Sequence, residues 1–310
     1  SLVVRHSPCM VLTLRVIVRC CISAIKTSKL AFAALDLYAI HFTKAIFRGT
    51  LMNMPCDFPY MDLLPAVSAA SFSVLEFFKG GFDVMVKDDS TPVTSADLAS
   101  NKILLDALQK YFSDIPVVSE EILNPPLSAL KDKFFLVDPL DGTSDFISGR
   151  KEFTVNLALI EKGLVALGIV SAPALGELFV GFNGIALRTS ISDVSLSHPE
   201  RLFLKNRYVP FQKGRVPRVL VSVSHTDPRT SDHLQRIGGV KIPVGSSLKF
   251  LRIADSFADY YPRVKSLHEW DIAAGHGVLK AAGGNVYLFG LQSEVKYGTP
   301  GFISPPFEAY

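Results

Sequence analysis

Residues 134–143 read Phe-Phe-Leu-Val-Asp-Pro-Leu-Asp-Gly-Thr, and this stretch decides the fold and chemistry that we predict. An apolar run typical of a buried strand leads directly into two carboxylates, Asp138 and Asp141. Pro139 stiffens the turn between them, and Gly142 lets the backbone approach a ligand closely. An Asx turn with solvated acids would explain either aspartate alone, but it poorly explains an apolar strand that ends in both. Oxygen ligands at a strand end suit a hard cation such as Mg²⁺, so the stretch predicts a metal site.

A further acid precedes a run of small residues near the C-terminal end. Residues 269–275 read Glu-Trp-Asp-Ile-Ala-Ala-Gly, which places Asp271 where a helix over residues 271–282 is predicted to begin. Taken alone, Asp271 could simply be a helix N-cap. The small side chains that follow let this helix pack closely, and close packing would hold Asp271 in a fixed position.

Two other acidic segments are ambiguous when each is read alone. Residues 119–121 read Ser-Glu-Glu after a predicted strand, and such acid pairs are usually solvated. Residues 94–97 read Thr-Ser-Ala-Asp before a predicted helix, a pattern typical of helix capping. Both segments gain weight only in combination with the two stronger acidic segments.

The rest of the pattern mixes helices, strands and hairpins. The predicted helices cover residues 62–79, 96–112, 246–257 and 271–282. The predicted strands cover residues 115–118, 134–137, 153–160, 164–172, 176–182, 218–223 and 285–289. This order indicates an α/β protein in which α and β layers alternate around mixed sheets. We expect a metal-binding half over residues 61–182, and a half over residues 183–310 that completes the metal site and substrate pocket. Residues 183–217 are polar and are predicted to be a loop or domain junction.

Composition excludes several classes of function. With 310 residues, 48% of them apolar, the chain can bury a large core. The formal net charge of +3 gives little support for binding long nucleic acids. All four cysteines precede residue 57, so the remaining chain offers no thiol nucleophile, zinc-thiolate site or disulfide framework. We therefore expect a reducing compartment, the cytoplasm.

Residues 1–60 form an atypical N-terminal segment. Its apolar runs are interrupted by charged residues and fall short of the roughly 18 apolar residues of a membrane span, so no transmembrane segment is predicted. The favoured interpretation is a non-native extension upstream of the true start, with Met52, Met54 or Met61 as candidate initiators. An organelle targeting segment and a genuine extra element are the alternatives.

Together, these segments resemble the inositol monophosphatase superfamily of lithium-sensitive, magnesium-dependent phosphatases. Four motifs carry the resemblance in family order: Pro-Val-Thr-Ser-Ala-Asp at 92–97, Ser-Glu-Glu at 119–121, Asp-Pro-Leu-Asp-Gly-Thr at 138–143 and Trp-Asp-Ile-Ala-Ala-Gly at 270–275. The resemblance covers about residues 62–308, and it is strongest to bacterial 3′(2′),5′-bisphosphate nucleotidases of the CysQ type. The segments that carry this closer resemblance are 152–160, 222–225, 244–250, 258–263, 297–298 and 302–305. Residues 183–217 and the N-terminal segment depart from the pattern.

The resemblance implies a role for each matching residue. One Mg²⁺ would be bound by Glu120, Asp138 and the Leu140 carbonyl, and a second by Asp138, Asp141 and Asp271, with two or three ions in all. Asp97 and Thr143 would orient and help to deprotonate a metal-bound water. The backbone amides of Gly142 and Thr143 would bind the phosphate, as expected at a helix start. The candidate substrate-binding residues are Ser224, His225, Ser246, Ser247, Lys249 and Arg263. Lys249 as a solvated helix residue, and His225 as a capping or surface histidine, remain open.

The resemblance also implies a reaction. We expect hydrolysis of a small phosphorylated substrate, adenosine 3′,5′-bisphosphate, to AMP and phosphate, a step of sulfur metabolism. An inositol-1-phosphate, histidinol-phosphate or fructose-bisphosphate phosphatase is the alternative with the same metal core. A catalytically silent metal-binding regulatory scaffold is an alternative of another class, and the complete acidic set argues against it.

Overall fold

A computed structural model of the chain describes residues 59–87, 92–122, 124–130, 132–197, 199–204, 216–223 and 228–310. The predicted extension over residues 1–60 lies outside these ranges except for its last two positions. Its interpretation therefore stays a prediction.

Two long helices, α1 (Leu64–Gly80) and α2 (Ser95–Phe112), pack against each other near the start of the described chain. Helix α1 is followed by its C-cap Gly81, whose φ of 100° lies in the region that favours glycine. Helix α2 begins at a capping box formed by Thr94 and Asp97, so the capping interpretation of that segment is confirmed.

The helical stretch Met61–Gly80 is, among the described residues, long and apolar enough to cross a membrane by length and composition. Buried core helices pass the same test. Val67 and Val74 of this stretch are fully buried within the fold. The apolar character of the helix is thus used for packing.

A seven-stranded mixed sheet forms the centre of the fold, after a hairpin of two short strands, β1 (Val84–Val86) and β2 (Pro92–Thr94). The strands of the sheet lie side by side in chain order: β3 (Val117–Ser119), β4 (Lys133–Asp141), β5 (Thr154–Glu161), β6 (Leu164–Ala172), β7 (Glu177–Phe182), β8 (Ile185–Ser190) and β9 (Glu200–Leu202). The pair β3–β4 is parallel, and each later neighbouring pair is antiparallel. A short helix, α3 (Thr143–Ile147), lies between β4 and β5.

The C-terminal part of the chain adds shorter elements. They are β10 (Arg218–Val221), α4 (Pro228–Ile237), β11 (Val240–Pro243), α5 (Leu248–Ala254), β12 (Tyr261–Arg263), β13 (Leu267–His268), α6 (Ala273–Ala281), β14 (Val286–Leu288), β15 (Ile303–Ser304) and β16 (Phe307–Ala309). Strands β10 and β11 pair in parallel, β13 pairs with β15, and β12, β16 and β14 form a three-stranded antiparallel sheet.

Helices cover both faces of the large sheet. Helix α6 lies directly on β6 and β7, because a Cβ at Gly168 would stand 2.1 Å from the Ala274 carbonyl oxygen. On β6, Ser171 lies three positions after Gly168 and so faces the other side, where its hydroxyl contacts Ser71 of α1 at 2.6 Å. The predicted α/β layered fold is therefore confirmed, as is the close packing expected for the small residues of α6.

The predicted irregular segment over residues 183–217 is wrong in part. Strands β8 and β9 lie within it and extend the large sheet, while residues 205–215 lie outside the described ranges. Polar residues are tolerated in β8 because the strand lies near the edge of the sheet, where Arg188 pairs with the Glu200 carboxylate. The two proposed halves, divided at residue 183, stay a prediction, although the sheet continues past that position.

Candidate active site

Four acidic side chains converge where β3, β4 and the turn before α6 end. We call Glu120, Asp138, Asp141 and Asp271 the carboxylate cluster. Because β3 and β4 are parallel, their carboxyl ends meet at one edge of the sheet, and the Glu120 amide donates to the Val137 carbonyl oxygen at 3.2 Å. The structure thus brings together acids that are distant in sequence.

A β-bulge separates the two aspartates of β4. Asp138 lies opposite Asn156 of β5, and Asp141 lies opposite Thr154, so three steps along β4 correspond to two along β5. Pro139 falls within this irregularity, where its missing N–H costs no ladder hydrogen bond. The bulge changes the relative direction of side chains and explains how both aspartates belong to one cluster.

Asp138 is buried with one of its carboxylate oxygens unpaired. Its side chain is 1% exposed, and Oδ1 accepts a hydrogen bond from the Leu140 amide while Oδ2 is buried without a partner. Burial raises the pKa of Asp138 well above its ordinary value, and the charges of Glu120, Asp141 and Asp271 raise it further. A cation among these acids would supply the missing partner, so the residues fit a divalent metal ion.

The other acids are engaged by donors of the protein itself. Asp141 Oδ2 accepts from the Ser247 amide at 2.6 Å, and Asp271 Oδ2 accepts from the His268 amide at 2.9 Å. Lys87 donates to Glu120 at 3.0 Å; burial raises the pKa of Glu120 to about 7, and Lys87 opposes this rise. Among the described residues, no three acid, histidine or cysteine side chains stand in a finished metal-ligand arrangement. Cation binding would therefore require some of these acids to exchange protein donors for the ion.

Asp97 and Thr143 form the pair that the resemblance predicted to act on water. The Thr143 hydroxyl lies 3.1 Å from Asp97 Oδ1 and 3.0 Å from the Leu140 carbonyl oxygen, and it can donate to one of them at a time. Asp97 Oδ2 accepts from the amide and hydroxyl of Thr94. Burial raises the pKa of Asp97, and the hydrogen bonds from Thr94 and Thr143 oppose that rise. Asp97 is therefore both a capping residue and a hydrogen-bond acceptor of Thr143.

Helix α3 begins next to the cluster. Gly142, its N-cap, has a φ of 91°, and a Cβ there would meet the Glu152 carbonyl oxygen at 3.2 Å. Only glycine fits this position without strain. The start of the helix thus comes close to the carboxylate cluster.

A cavity of about 440 Å³ joins these groups. It is lined by Pro92, Glu120, Asp141, Gly142, Thr143, Ser144, Asp145, Ser222, Ser246, Lys249, Phe250, Tyr261, Arg263, Leu267 and Asp271. Acids, hydroxyls and two cationic side chains therefore face one space.

The two cations, Lys249 of α5 and Arg263 of β12, are buried. Lys249 is 5% exposed and Arg263 is 8% exposed, so the alternative interpretation of Lys249 as a solvated helix residue is wrong. Lys249 Nζ donates to the Val244 carbonyl oxygen at 3.2 Å and lies 5.3 Å from the centroid of the Tyr261 ring. The pKa of Lys249 is lowered to about 8, chiefly by burial; the charge of Asp141 opposes this shift and that of Arg263 adds to it. Arg263 Nε is buried without a hydrogen-bond partner, so the cavity wall holds a cationic donor that is free to bind an anion.

The structure places the remaining candidate substrate-binding residues differently. Ser246 lines the cavity, whereas Ser247 is 1% exposed and is not among the lining residues. Ser224 and His225 lie outside the described residues. Sequence reasoning missed Ser222 and Tyr261 as lining residues, and it missed Lys87 as a partner of Glu120. Tyr261 and Arg263 share one face of β12 by their spacing of two, a signal that could have identified the tyrosine.

Three comparisons relate the chain to known proteins. The chain matches the family model described as "Inositol monophosphatase family" over residues 63–306. It is 37% identical over 227 residues to the 3′(2′),5′-bisphosphate nucleotidase CysQ of Salmonella typhimurium, which covers 71% of this chain and 86% of that protein. The protein of the same name from Escherichia coli K12 is 36% identical over 224 residues, covering 70% and 85%. The crystal structure of CysQ from Bacteroides thetaiotaomicron matches with a TM-score of 0.68 and 28% identity, covering 83% of this chain and 98% of that one.

Proposed function

Because the chain belongs to the inositol monophosphatase family, we propose that it is a 3′(2′),5′-bisphosphate nucleotidase that removes the 3′-phosphate of adenosine 3′,5′-bisphosphate. The products are AMP and phosphate. One observation carries this choice of substrate: a single cavity is lined both by three acids of the carboxylate cluster, Glu120, Asp141 and Asp271, and by the buried cations Lys249 and Arg263. A substrate with two phosphates uses both, since one phosphate reacts at the acids and the other pairs with the cations.

The proposed metal ligands are the carboxylate cluster together with the Leu140 carbonyl oxygen. Glu120, Asp138 and Leu140 would hold one Mg²⁺, and Asp138, Asp141 and Asp271 would hold a second. The orphaned Oδ2 of Asp138 and the raised pKa of that carboxyl support this assignment. When bound, Mg²⁺ supplies positive charge that neutralises phosphate oxygens and makes water a better nucleophile. A third ion, and the cytoplasmic location, stay predictions.

The chain's own residues would handle the proton and the phosphate. The Thr143 hydroxyl donates to Asp97 Oδ1, which leaves its oxygen free to accept a hydrogen bond from the attacking water. As the water oxygen bonds to phosphorus, the phosphorus–ribose oxygen bond breaks and its electron pair leaves with the ribose 3′-oxygen. The water proton passes to Thr143, the Thr143 proton passes to Asp97, and the ribose oxygen takes up a proton from solvent to become the 3′-hydroxyl of AMP. The raised pKa of Asp97 suits this acceptor role. The amides of Gly142 and Thr143 would hold phosphate oxygens at the start of α3.

Two of the alternatives with the same metal core are weaker on one point. Inositol-1-phosphate and histidinol phosphate carry a single phosphate, so they offer no second phosphate to Lys249 and Arg263. A silent scaffold gives no reason for the hydrogen bond between Thr143 and Asp97. These cations therefore favour a bisphosphate.

A substrate panel tests the proposal. The purified chain is assayed for phosphate release with Mg²⁺ on adenosine 3′,5′-bisphosphate, fructose 1,6-bisphosphate and inositol-1-phosphate. We expect the highest kcat/KM on the nucleotide. An equal or higher value on inositol-1-phosphate would overturn the choice of substrate and leave only the family, and no phosphate release from any substrate would favour the silent scaffold.

A further inference from the structure

Ser247 is placed between two members of the carboxylate cluster. Its backbone amide donates to Asp141 Oδ2 at 2.6 Å, and its hydroxyl donates to the Asp271 carbonyl oxygen at 2.7 Å. The side-chain amide of Asn156 donates to the same hydroxyl oxygen at 3.0 Å. The single hydroxyl proton of Ser247 is thus already used within the protein.

These hydrogen bonds join elements that are far apart in the chain. Ser247 lies 106 residues from Asp141 and 24 residues from Asp271. Asp141 ends β4, whereas Asp271 ends the turn before α6. The other donors to Asp141 Oδ2 are weaker by distance, with Thr154 at 3.4 Å and Asn156 at 3.5 Å. Among the described residues, Ser247 therefore makes the strongest hydrogen-bonded link between the two acids.

The backbone at Gly245 and Ser246 is constrained in a way that places Ser247 between the two acids. Gly245 has no room for a side chain, because a Cβ there would stand 2.8 Å from the Glu152 carbonyl oxygen. Ser246 adopts a φ of 51°, a left-handed conformation that is uncommon for serine, and its hydroxyl lies 2.6 Å from that of Thr154. Backbone strain of this kind persists where the surroundings hold it in place, often beside a functional site.

We propose that Ser247 is a positioning residue for the cation site. Ser247 holds Asp141 and Asp271 in fixed positions relative to each other and does not contact the substrate. This replaces the substrate-binding role predicted from the sequence, and it rests on the metal assignment of the proposed function. Hydrogen bonds behind metal ligands fix their orientation, and their loss typically lowers metal affinity about 10- to 100-fold.

Metal titration tests the proposal without using activity. Isothermal titration calorimetry of Mn²⁺ into the full chain compares wild type with Ser247→Ala. Mn²⁺ suits carboxylate sites and stands in for Mg²⁺. We expect the Kd for Mn²⁺ to rise at least tenfold in Ser247→Ala, and Ser247→Thr, which keeps the hydroxyl, to recover most of the affinity. Ser68→Ala is the matched control, because Ser68 is also a buried serine that donates to a distant carbonyl oxygen, that of Ile191. Its Kd should equal that of wild type.

Kinetics at saturating Mg²⁺ separate positioning from substrate contact. Under the proposal, Ser247→Ala needs more Mg²⁺ for half-maximal activity, but its KM for adenosine 3′,5′-bisphosphate returns to the wild-type value when Mg²⁺ saturates. A raised KM with an unchanged Kd for Mn²⁺ would overturn the proposal and restore the substrate-binding role. Wild type that binds no Mn²⁺ would overturn the metal assignment itself, whereas equal Kd values in wild type and Ser247→Ala would overturn only this inference.

An independent variant covers the case in which Ser247→Ala does not fold. Asn156→Ala removes the donor to the Ser247 hydroxyl, together with the longer 3.5 Å hydrogen bond from Asn156 to Asp141 Oδ2, while leaving Ser247 in place. We expect a raised Kd for Mn²⁺ in this variant as well, with folding checked by circular dichroism. An unchanged Kd in folded Asn156→Ala would contradict the network.

Discussion

Lys249→Met separates the proposed function of a buried cation from its effect on stability. Methionine keeps the length and apolar stem of lysine but removes the charge. Lys249 is 5% exposed and lines the cavity beside Arg263. We expect this single change to weaken catalysis on a bisphosphate and to stabilise the fold.

The expected loss of activity follows from one charge-assisted hydrogen bond. Such a contact with the spare 5′-phosphate contributes about 1.5–3 kcal/mol, which corresponds to a roughly 10- to 150-fold change in kcat/KM. The loss should appear in KM for adenosine 3′,5′-bisphosphate. Adenosine 3′-monophosphate lacks the 5′-phosphate, so its kcat/KM should change less than about twofold if the contact is made only by that group.

The expected gain in stability follows from the pKa of Lys249. Burial lowers this pKa from 10.5 to about 8, so the folded state binds the proton less tightly than the unfolded state. At pH 7 the charged form therefore costs about 3 kcal/mol. Loss of the hydrogen bond to Val244 and of the contact with the Tyr261 ring offsets about 1 kcal/mol each, which leaves a net gain of about 1 kcal/mol, or roughly 2–4 °C in Tm.

The pH dependence gives the sharper test. Between pH 8 and 10.5 the unfolded chain keeps the lysine proton and the folded chain releases it, so the contribution of Lys249 to stability rises with pH. The difference in Tm between Lys249→Met and wild type should thus shrink over this range. Lys102→Met is the matched control, because Lys102 is exposed and pairs with Asp106 on the surface. Equal losses of kcat/KM on both substrates, or a Tm difference that does not vary with pH, would refute the reasoning.

Three further predictions concern the metal site and the chain start. Asp138→Asn should lower kcat more than a hundredfold while Tm without Mg²⁺ stays level or rises, because a buried charge without a partner is removed; near-normal kcat would contradict the metal assignment. Phosphate release should stop with EDTA, return with Mg²⁺ and be inhibited by millimolar or lower Li⁺, and EDTA-resistant activity would exclude the proposed cofactor. Deletion of residues 1–51 should leave a folded, active enzyme, since the family match begins at residue 63; loss of the far-ultraviolet circular dichroism signal would show otherwise.

The parts of the site that follow from local sequence could be predicted. Asp138 and Asp141 are fixed by a buried strand, a proline and a glycine within ten residues, and Glu120 follows the neighbouring parallel strand. Asp271 precedes a helix whose small residues force it against the sheet. The helix N-cap itself is Ile272, so the simpler capping role for Asp271 at that helix is wrong.

The parts that depend on long-range packing could not be predicted. Burial of Lys249 depends on Tyr261 from another element, and a lysine in a short helix is more often solvated. The link from Ser247 to Asp141 spans 106 residues, and no local pattern distinguishes it from a serine that faces the substrate. Residues 183–217 misled the prediction because a strand near a sheet edge tolerates polar side chains on one face.

Buried polar atoms that lack hydrogen-bond partners indicate which ligands this fold binds. Within the described part of the chain, three buried side-chain atoms have no hydrogen-bond partner: Asp138 Oδ2, Asn156 Oδ1 and Arg263 Nε. Asp138 and Asn156 are cross-strand neighbours at the carboxylate cluster, and Arg263 lies on the wall of the same cavity. A fold selected for stability alone would replace such groups, because each unsatisfied polar atom costs about 1–3 kcal/mol. A cation at the acids provides a partner for Asp138 Oδ2, and an anion provides a partner for Arg263 Nε. A metal-bound nucleoside bisphosphate supplies both charges in one ligand.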